Sequence, residues 1–190
     1  MGQAVQSPGK SRAVAAVAAV DSAPQQYLTF TLGSEMFAVA ILNVKEIIEY
    51  GTVTEIPMMP GFIRGVINLR GAVVPVIDLS CRFGGKSTQV ARRTCIIIVE
   101  MTEGDIKQDI GVMVDAVSEV LEISTADIEP APAFGAKIRT DFISGMGKVN
   151  GKFVILLEVG KVLSVDEIAS LSHLATEGAV DLTAGGTPSV

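Results

Sequence analysis

The run Ser80-Cys81-Arg82-Phe83-Gly84-Gly85-Lys86-Ser87, placed directly after a predicted strand, is one residue away from a phosphate-binding loop. That loop needs glycine where Ser80 stands, and a following helix whose N–H groups point at the phosphates. Thr88 to Arg93 has no amphipathic pattern, so the run reads as a surface loop. Gly145-Met146-Gly147-Lys148 departs further, with Phe142 in the first glycine's place and Val149 where Ser or Thr belongs. His173 is the only histidine, which removes Ser-His-Asp, Cys-His and multi-histidine metal chemistry. It falls near the end of a predicted helix, an ordinary exposed position. Cys81 and Cys95 make no CxxC pair. Their spacing leaves a disulfide open, and a reduced cytosolic protein is the simpler reading. The carboxylates are spread out, and Asp115, Glu119 and Glu122 read as one exposed face. The expectation is no enzyme, no cofactor and no metal.

Two charges remain that sit among apolar neighbours, Glu46 and Arg70. An ion pair between them would account for both, against the alternative of two independent surface charges. Arg70 belongs to the stretch around which the chain is organised, residues 57–79. Phe62 to Leu69 runs out, Arg70-Gly71 reverses, and Ala72 to Leu79 returns. Glycine supplies the positive φ a tight hairpin turn requires. Pro75 cannot donate to a ladder, so the return run is expected at an edge or a bulge. Asn68, Arg70 and Asp78 each need a partner or an exposed role.

This stretch returns later in the chain. Phe62-Ile63-x-Gly65 reappears 80 positions on as Phe142-Ile143-x-Gly145, with Gly71 matching Gly151 and Asp78 matching Glu158. Upstream, at an offset of 73, Ala38-Val39-x-Ile41-x-x-Val44-x-Glu46-Ile47-Ile48 parallels Gly111-Val112-x-Val114-x-x-Val117-x-Glu119-Val120-Leu121. The chain therefore has two similar halves, at a period too long for a solenoid.

Hydrophobic residues make up 48% before 19 glycines are counted, above the usual range, and no run is long enough to span a membrane. Some of that excess is available to cover contact surfaces for other proteins. A net charge of −6 argues against an extended phosphate-binding surface, and Arg92-Arg93 reads as a solvated loop.

Residues 1–26 read as a disordered tail, Ala13 to Val20 being too short and too weakly apolar for a secretory signal. Tyr27–Leu32 and Met36–Ala40 form a hairpin around Gly33-Ser34. Ile41 to Tyr50, apolar at 41, 44, 47 and 48, has the spacing of a short helix. Ser80–Lys86 is a turn or helical bit, Ser87–Arg93 a linker and Thr94–Glu100 a strand. A turn at 102–105 follows, then strands over Ile106–Asp115 and Val117–Ile123. Glu129–Phe134 is an extended proline segment. Asp141–Val149 and Lys152–Val159 form the second hairpin around Asn150-Gly151, a strong turn signal. Lys161–Leu174 is a closing helix, and 175–190 a flexible tail. Short strands at regular spacing point to small barrels, and the duplication to two of them sharing one core.

The block Pro60-x-Phe62-Ile63-x-Gly65-Val66-x-Asn68-Leu69-Arg70-Gly71-x-x-x-Pro75-Val76-x-Asp78-Leu79 resembles the signature of the CheW family of chemotaxis coupling proteins. The likeness extends from about Tyr27 to Leu174 and includes Phe30-Thr-Leu-Gly33 and Gly111-Val-x-Val-Asp115-x-Val-Ser118. It implies a mainly β fold: two SH3-like five-stranded barrels around a shared hydrophobic core, roughly 34–86 and 92–159, with short helices including 161–174. It also implies a non-enzymatic cytoplasmic adaptor that couples the cytoplasmic tips of methyl-accepting chemoreceptors to the regulatory domain of the histidine kinase CheA. Such a protein is a monomer alone and a ring or array member with its partners, recruited to the inner face of the cytoplasmic membrane without inserting into it, and it binds no nucleic acid. By resemblance, receptor and kinase coupling falls on Val44, Glu46, Gly65 and Arg70, and on Gly111, Val117 and Val120. Ile128, Glu129 and Phe134 match a stretch used in kinase contacts, with Glu129 where some relatives carry a basic residue.

Overall fold

A computed structural model describes residues 23–103, 106–132 and 138–164. The β-branched runs become eleven strands. They are β1 Gln25–Leu32, β2 Glu35–Ala40, β3 Val44–Glu49, β4 Ile63–Leu69, β5 Ala72–Asp78, β6 Cys95–Glu103, β7 Ile106–Val114, β8 Ala116–Ile123, β9 Ile128–Glu129, β10 Ile143–Val149 and β11 Lys152–Leu157. Two single-turn helices, α1 Leu79–Arg82 and α2 Val159–Val162, follow the two hairpins.

Six strands pair in the order β8-β1-β2-β11-β10-β9 and five in the order β3-β6-β7-β5-β4. The two sheets are SH3-like in outline, though their ladders do not close into barrels. The five-stranded sheet comes nearest: the chain beyond β3 returns to the β4 edge at the single bridge Thr54↔Val66. Each half of the repeat contributes to both sheets. Strands β1 and β2 of the first half join β8, β10 and β11, while β6 and β7 of the second half join β3, β4 and β5. The exchange is reciprocal, because β3 pairs β6 as β8 pairs β1, and β5 runs parallel to β7 as β11 does to β2. The ranges 34–86 and 92–159 therefore each send strands into both sheets.

Three apolar clusters result. Ile67, Val74, Val76, Ile96, Ile98 and Met113 fill one face of the five-stranded sheet. Tyr27, Ala38, Ile123, Val154 and Leu156 fill one face of the six-stranded sheet. The largest cluster lies between them and draws Phe30, Phe37, Ile97, Val112 and Leu157 from both, with Phe142 from the 3₁₀ turn Thr140–Phe142 before β10. Strand β1 serves two of these clusters at once, so Tyr27 to Phe30 are buried without a polar face, and Thr29 is satisfied through the Glu119 backbone.

Four expectations need correction. The helix over Ile41–Tyr50 is a 3₁₀ turn, Ile41–Asn43, followed by β3. A bulge between Val44 and Glu46 places Val44 and Ile47 on one face although they are three apart, and that spacing imitates a helix. Pro75 is on an interior strand, because β5 pairs with β4 and β7. The ring is tolerated there because pairing with β7 begins only at Val76, and the bulge lies in β4 between Ile63 and Gly65. Residues 102–103 continue β6, paired with Lys107 and Ile106, which leaves only 104–105 for the connection. The first strand begins at Gln25 rather than Tyr27, because Gln25 and Gln26 pair with Ile123 and Glu122. Helix α2 starts at Val159, and the rest of the expected helix, His173 and the tails 1–22 and 175–190 lie outside the described residues.

Candidate functional site

Both hairpins turn on a residue pair with positive φ, Arg70 (52°) with Gly71 (90°) and Asn150 (50°) with Gly151 (76°). In the first, the Gly71 N–H donates to Asn68 Oδ1 at 2.9 Å, which holds the turn and leaves the Arg70 side chain outside it. Arg70 Nη2 donates to Glu46 Oε2 at 3.0 Å. Glu46 lies on β3 and Arg70 follows β4, so the pair links the two open edges of the five-stranded sheet. The Arg70 side chain is 80% exposed and that of Glu46 24%, which makes this a rim contact worth under about 1 kcal/mol to the fold. Its value is positional: it fixes a carboxylate and a guanidinium at the lip of the sheet.

Val44 packs partly against the shared core, and Ile47, on the same face of β3, is 43% exposed. Their counterparts on β8 behave alike, for Val117 packs on that core and Val120 is 47% exposed. β8 carries the equivalent bulge, since three β8 steps, Val117 to Val120, face the two β1 steps from Phe30 to Leu28. Both edge strands thus present a half-buried and a half-exposed apolar residue beside the shared core. Ile47 was not among the expected coupling residues, and its alignment with Val120 at offset 73 was the signal that pointed to it.

The remaining expected positions separate. Gly65 is buried at φ 142°, and a Cβ there would fall on the Thr54 carbonyl, so the close approach it permits is that of the chain's own Thr54. Gly111 is buried on β7, where a Cβ would come within 2.9 Å of Ile96 and 3.2 Å of Val76. Ile128 packs against the six-stranded sheet's cluster, and Glu129 is exposed on β9 opposite Met146. Phe134 lies outside the described residues. Asp115 is half-buried and accepts from the Gly33 N–H, and Glu119 and Glu122 are exposed but on opposite faces of β8, because pairing is regular from Val120 to Ile123, so the single acidic face expected of the three does not form.

Asp78 is the one fully buried carboxylate in this region, and all of its bonds are structural. It accepts from the Cys81 N–H, the Ser87 hydroxyl, and both the N–H and hydroxyl of Thr88. These bonds fold the Ser80–Ser87 run back on itself, with Gly84 N–H donating to Cys81 O and Gly85 N–H to Ser80 O. The amides that would cradle a phosphate are spent internally. Burial and the neighbouring Asp78 push the Cys81 thiol up, away from thiolate chemistry, and both cysteines are free. Arg82 crosses between the halves: its Nε donates to Val162 O at 3.0 Å, and its guanidinium lies 4.8 Å and 5.0 Å from the Phe62 and Phe142 rings.

Among the described residues no group of three or more His, Cys, Asp or Glu is placed to hold a metal, and no helix is long and apolar enough to cross a membrane. Two sheets with open edges and half-covered aliphatic margins define a protein-binding module. The CheW-like domain model matches residues 26–167. Over 151 residues the chain is 37% identical to the chemotaxis protein CheW of Klebsiella aerogenes, covering 80% of this chain and 89% of that one. It is 31% identical to the protein FrzA of Myxococcus xanthus, over 78% of this chain and 91% of FrzA. The crystal structure of a scaffolding CheW protein from Thermoanaerobacter tengcongensis superposes with a TM-score of 0.67 at 37% identity, covering 75% of this chain and 90% of that one. The chain belongs to the CheW family, and its role is that of a scaffold in chemotaxis signalling.

Proposed function

We propose that this chain joins the cytoplasmic tips of methyl-accepting chemoreceptors to the regulatory domain of the histidine kinase CheA, and does so without catalysis. The observation that carries this reading is the pair of equivalent edge strands, β3 with Val44 and Ile47 and β8 with Val117 and Val120, each flanking the shared core. A receptor hairpin tip would lay an amphipathic helical face against such a margin. Glu46 and Arg70 would set the polar rim of the first edge. A kinase domain built on the same sheets would meet the molecule in a pseudo-symmetric contact, repeated around a ring. Ile128 and Glu129, with Phe134 beyond them, would belong to the kinase side. Glu129 there calls for a basic or neutral residue on the partner. The adaptor works in the cytoplasm, recruited to receptor arrays by its partners and not by insertion into the bilayer.

Co-sedimentation of the full chain with receptor signalling fragments and kinase, followed by kinase activity, tests the reading. The chain should enter the pellet with both partners and place the kinase under receptor control. Glu46→Lys should lower that control while the urea midpoint stays near wild type. Wild-type control by Glu46→Lys would remove Glu46 from the site, and a chain that ignores both partners would end the proposal.

A further inference from the structure

The two edge strands match at Val44 with Val117 and at Ile47 with Val120, but not where they begin. At the offset of 73, Leu42 aligns with Asp115. Asp115 is half-buried and its carboxylate accepts from the Gly33 N–H, so the approach to β8 is tied down. Leu42 lies in the middle of the 3₁₀ turn Ile41–Asn43 and is 94% exposed, the most of any large hydrophobic residue described. The turn that carries it is held at both ends. Ile41 and Val44 pack against the shared core, and the Val44 N–H donates to the Ile41 carbonyl. The backbone beneath Leu42 is therefore already ordered, and a partner that buries the side chain has little else to immobilise.

A cleft of about 210 Å³ opens beside this turn, lined by Asn43, Met101, Thr102, Val159 and the carboxylates of Glu100 and Glu158. Asn43 joins the two features, since it follows Leu42 in the chain and lines the cleft. Glu100 is compensated, for Lys45 and Lys107 pair with it and Asp109 balances Lys45. Those four charges cancel. Glu158 meets no cation among the described residues and leaves the cleft with a net negative charge. Following Leu42 in the other direction, Val44 and the exposed Ile47 continue the apolar margin of β3.

We propose that Leu42 anchors the receptor's helical face on the β3 edge and that Glu158 takes a lysine or arginine beside that face. The inference deepens the coupling reading of Val44 and Ile47 and rests on it. The segment this surface fits is an amphipathic helix whose apolar stripe is bordered by a basic residue. Such a helix buries Leu42 with its neighbours on β3 and meets the uncompensated charge of the cleft. Asp115 gives the β8 edge no equivalent anchor, so Leu42 makes the two edges unequal toward the receptor.

The test titrates the full chain with a receptor signalling fragment and, separately, with the kinase regulatory domain. Leu42→Asp should bind the receptor fragment about tenfold more weakly than wild type. Its kinase affinity and urea midpoint should be unchanged, because the side chain is almost wholly in solvent. Leu42→Met keeps the apolar volume and should bind as wild type does. Glu158→Lys should bind the receptor fragment about threefold more weakly at low salt, a deficit that closes at high salt. Val73→Asp, at a residue 72% exposed on the first hairpin, should match wild type. Unchanged receptor affinity in Leu42→Asp overturns the anchor, as does an equal loss in Val73→Asp or an equal loss toward the kinase. Wild-type receptor affinity in Glu158→Lys at low salt overturns the role of Glu158. A wild-type chain that ignores the fragment ends the coupling reading itself, an outcome distinct from equal binding by wild type and Leu42→Asp.

Discussion

Asp78 and Glu158 occupy equivalent places, each directly after the return strand of a hairpin and each donating its N–H, at 2.8 Å, to the carbonyl of the matching phenylalanine, Phe62 or Phe142. One is buried under four hydrogen bonds, and the other is exposed with no capping bond to its helix. The same contrast recurs at the turn tips, where Arg70 reaches Glu46 but its counterpart Asn150 has no charge to offer Glu119. Backbone features survived duplication, down to equivalent bulges at Arg64 and Ser144. Polar side chains did not. The first half has a locked loop and a charged lip, while the second has a plainer edge whose Glu119 and Glu122 meet no cation among the described residues. The scaffold needs the repeated backbone, because each sheet borrows strands from both halves. The polar groups were free to diverge toward different contacts.

That contrast breaks most visibly at Asp78. Asp78→Ala leaves buried Thr88 and its neighbours without an acceptor and should cost about 3 kcal/mol, whereas Glu158→Ala should fall within about 0.5 kcal/mol of wild type. Urea unfolding of the two variants decides it, and equal losses would mean the lock does not exist. Next comes the glycine pair. Gly65→Ala drives a methyl onto the Thr54 backbone at a φ that side chains avoid and should cost about 2 kcal/mol or more. Gly145→Ala meets the Ile128 Cγ2 methyl at 2.6 Å and the Glu129 carbonyl at 3.1 Å, without the direct backbone overlap or the positive φ of Gly65, so its loss should be smaller. Thermal melts that rank them the other way would remove the close approach as the reason for Gly65.

Smaller effects concern surface charge. Glu46→Gln should cost under about 1 kcal/mol in unfolding, as should Glu119→Gln, while only the first should alter receptor control of the kinase. Equal signalling by both would erase the difference between the lips. Least of all is the Lys45–Asp109–Glu100–Lys107 cluster across β3, β6 and β7. The hydrogen bond from Lys107 holds Glu100 below its ordinary pKa, with further lowering from Lys45. A carboxylate depressed in the folded state contributes stability above its unfolded pKa, about 4.3, and loses it as the pH falls through the folded value. The small stability gap between wild type and Glu100→Gln at pH 7 should therefore shrink by pH 3, and a gap that stays constant would assign it to packing.

The repeat, the hairpin turns and the Glu46–Arg70 pair were legible in the chain, because each depends on residues whose spacing or chemistry is local. Gly71 and Gly151 announce their turns, and two opposite charges among apolar neighbours call for each other. Strand exchange between the halves was not legible, since pairing with one sheet or the other leaves the same alternation along the strand. The nature of β3 was hidden for a related reason: a bulge is defined by the partner strand, and alone it shifts the apolar spacing from two to three. Tertiary structure likewise decided that Gly65 and Gly111 face inward, because a glycine carries no hydrophobic mark to show which neighbour it admits. Sequence by itself determined that this protein is a duplicated β molecule built to hold others. Which edges remain open for that purpose was settled only when the two halves traded strands, because an edge exists only relative to the strands already paired.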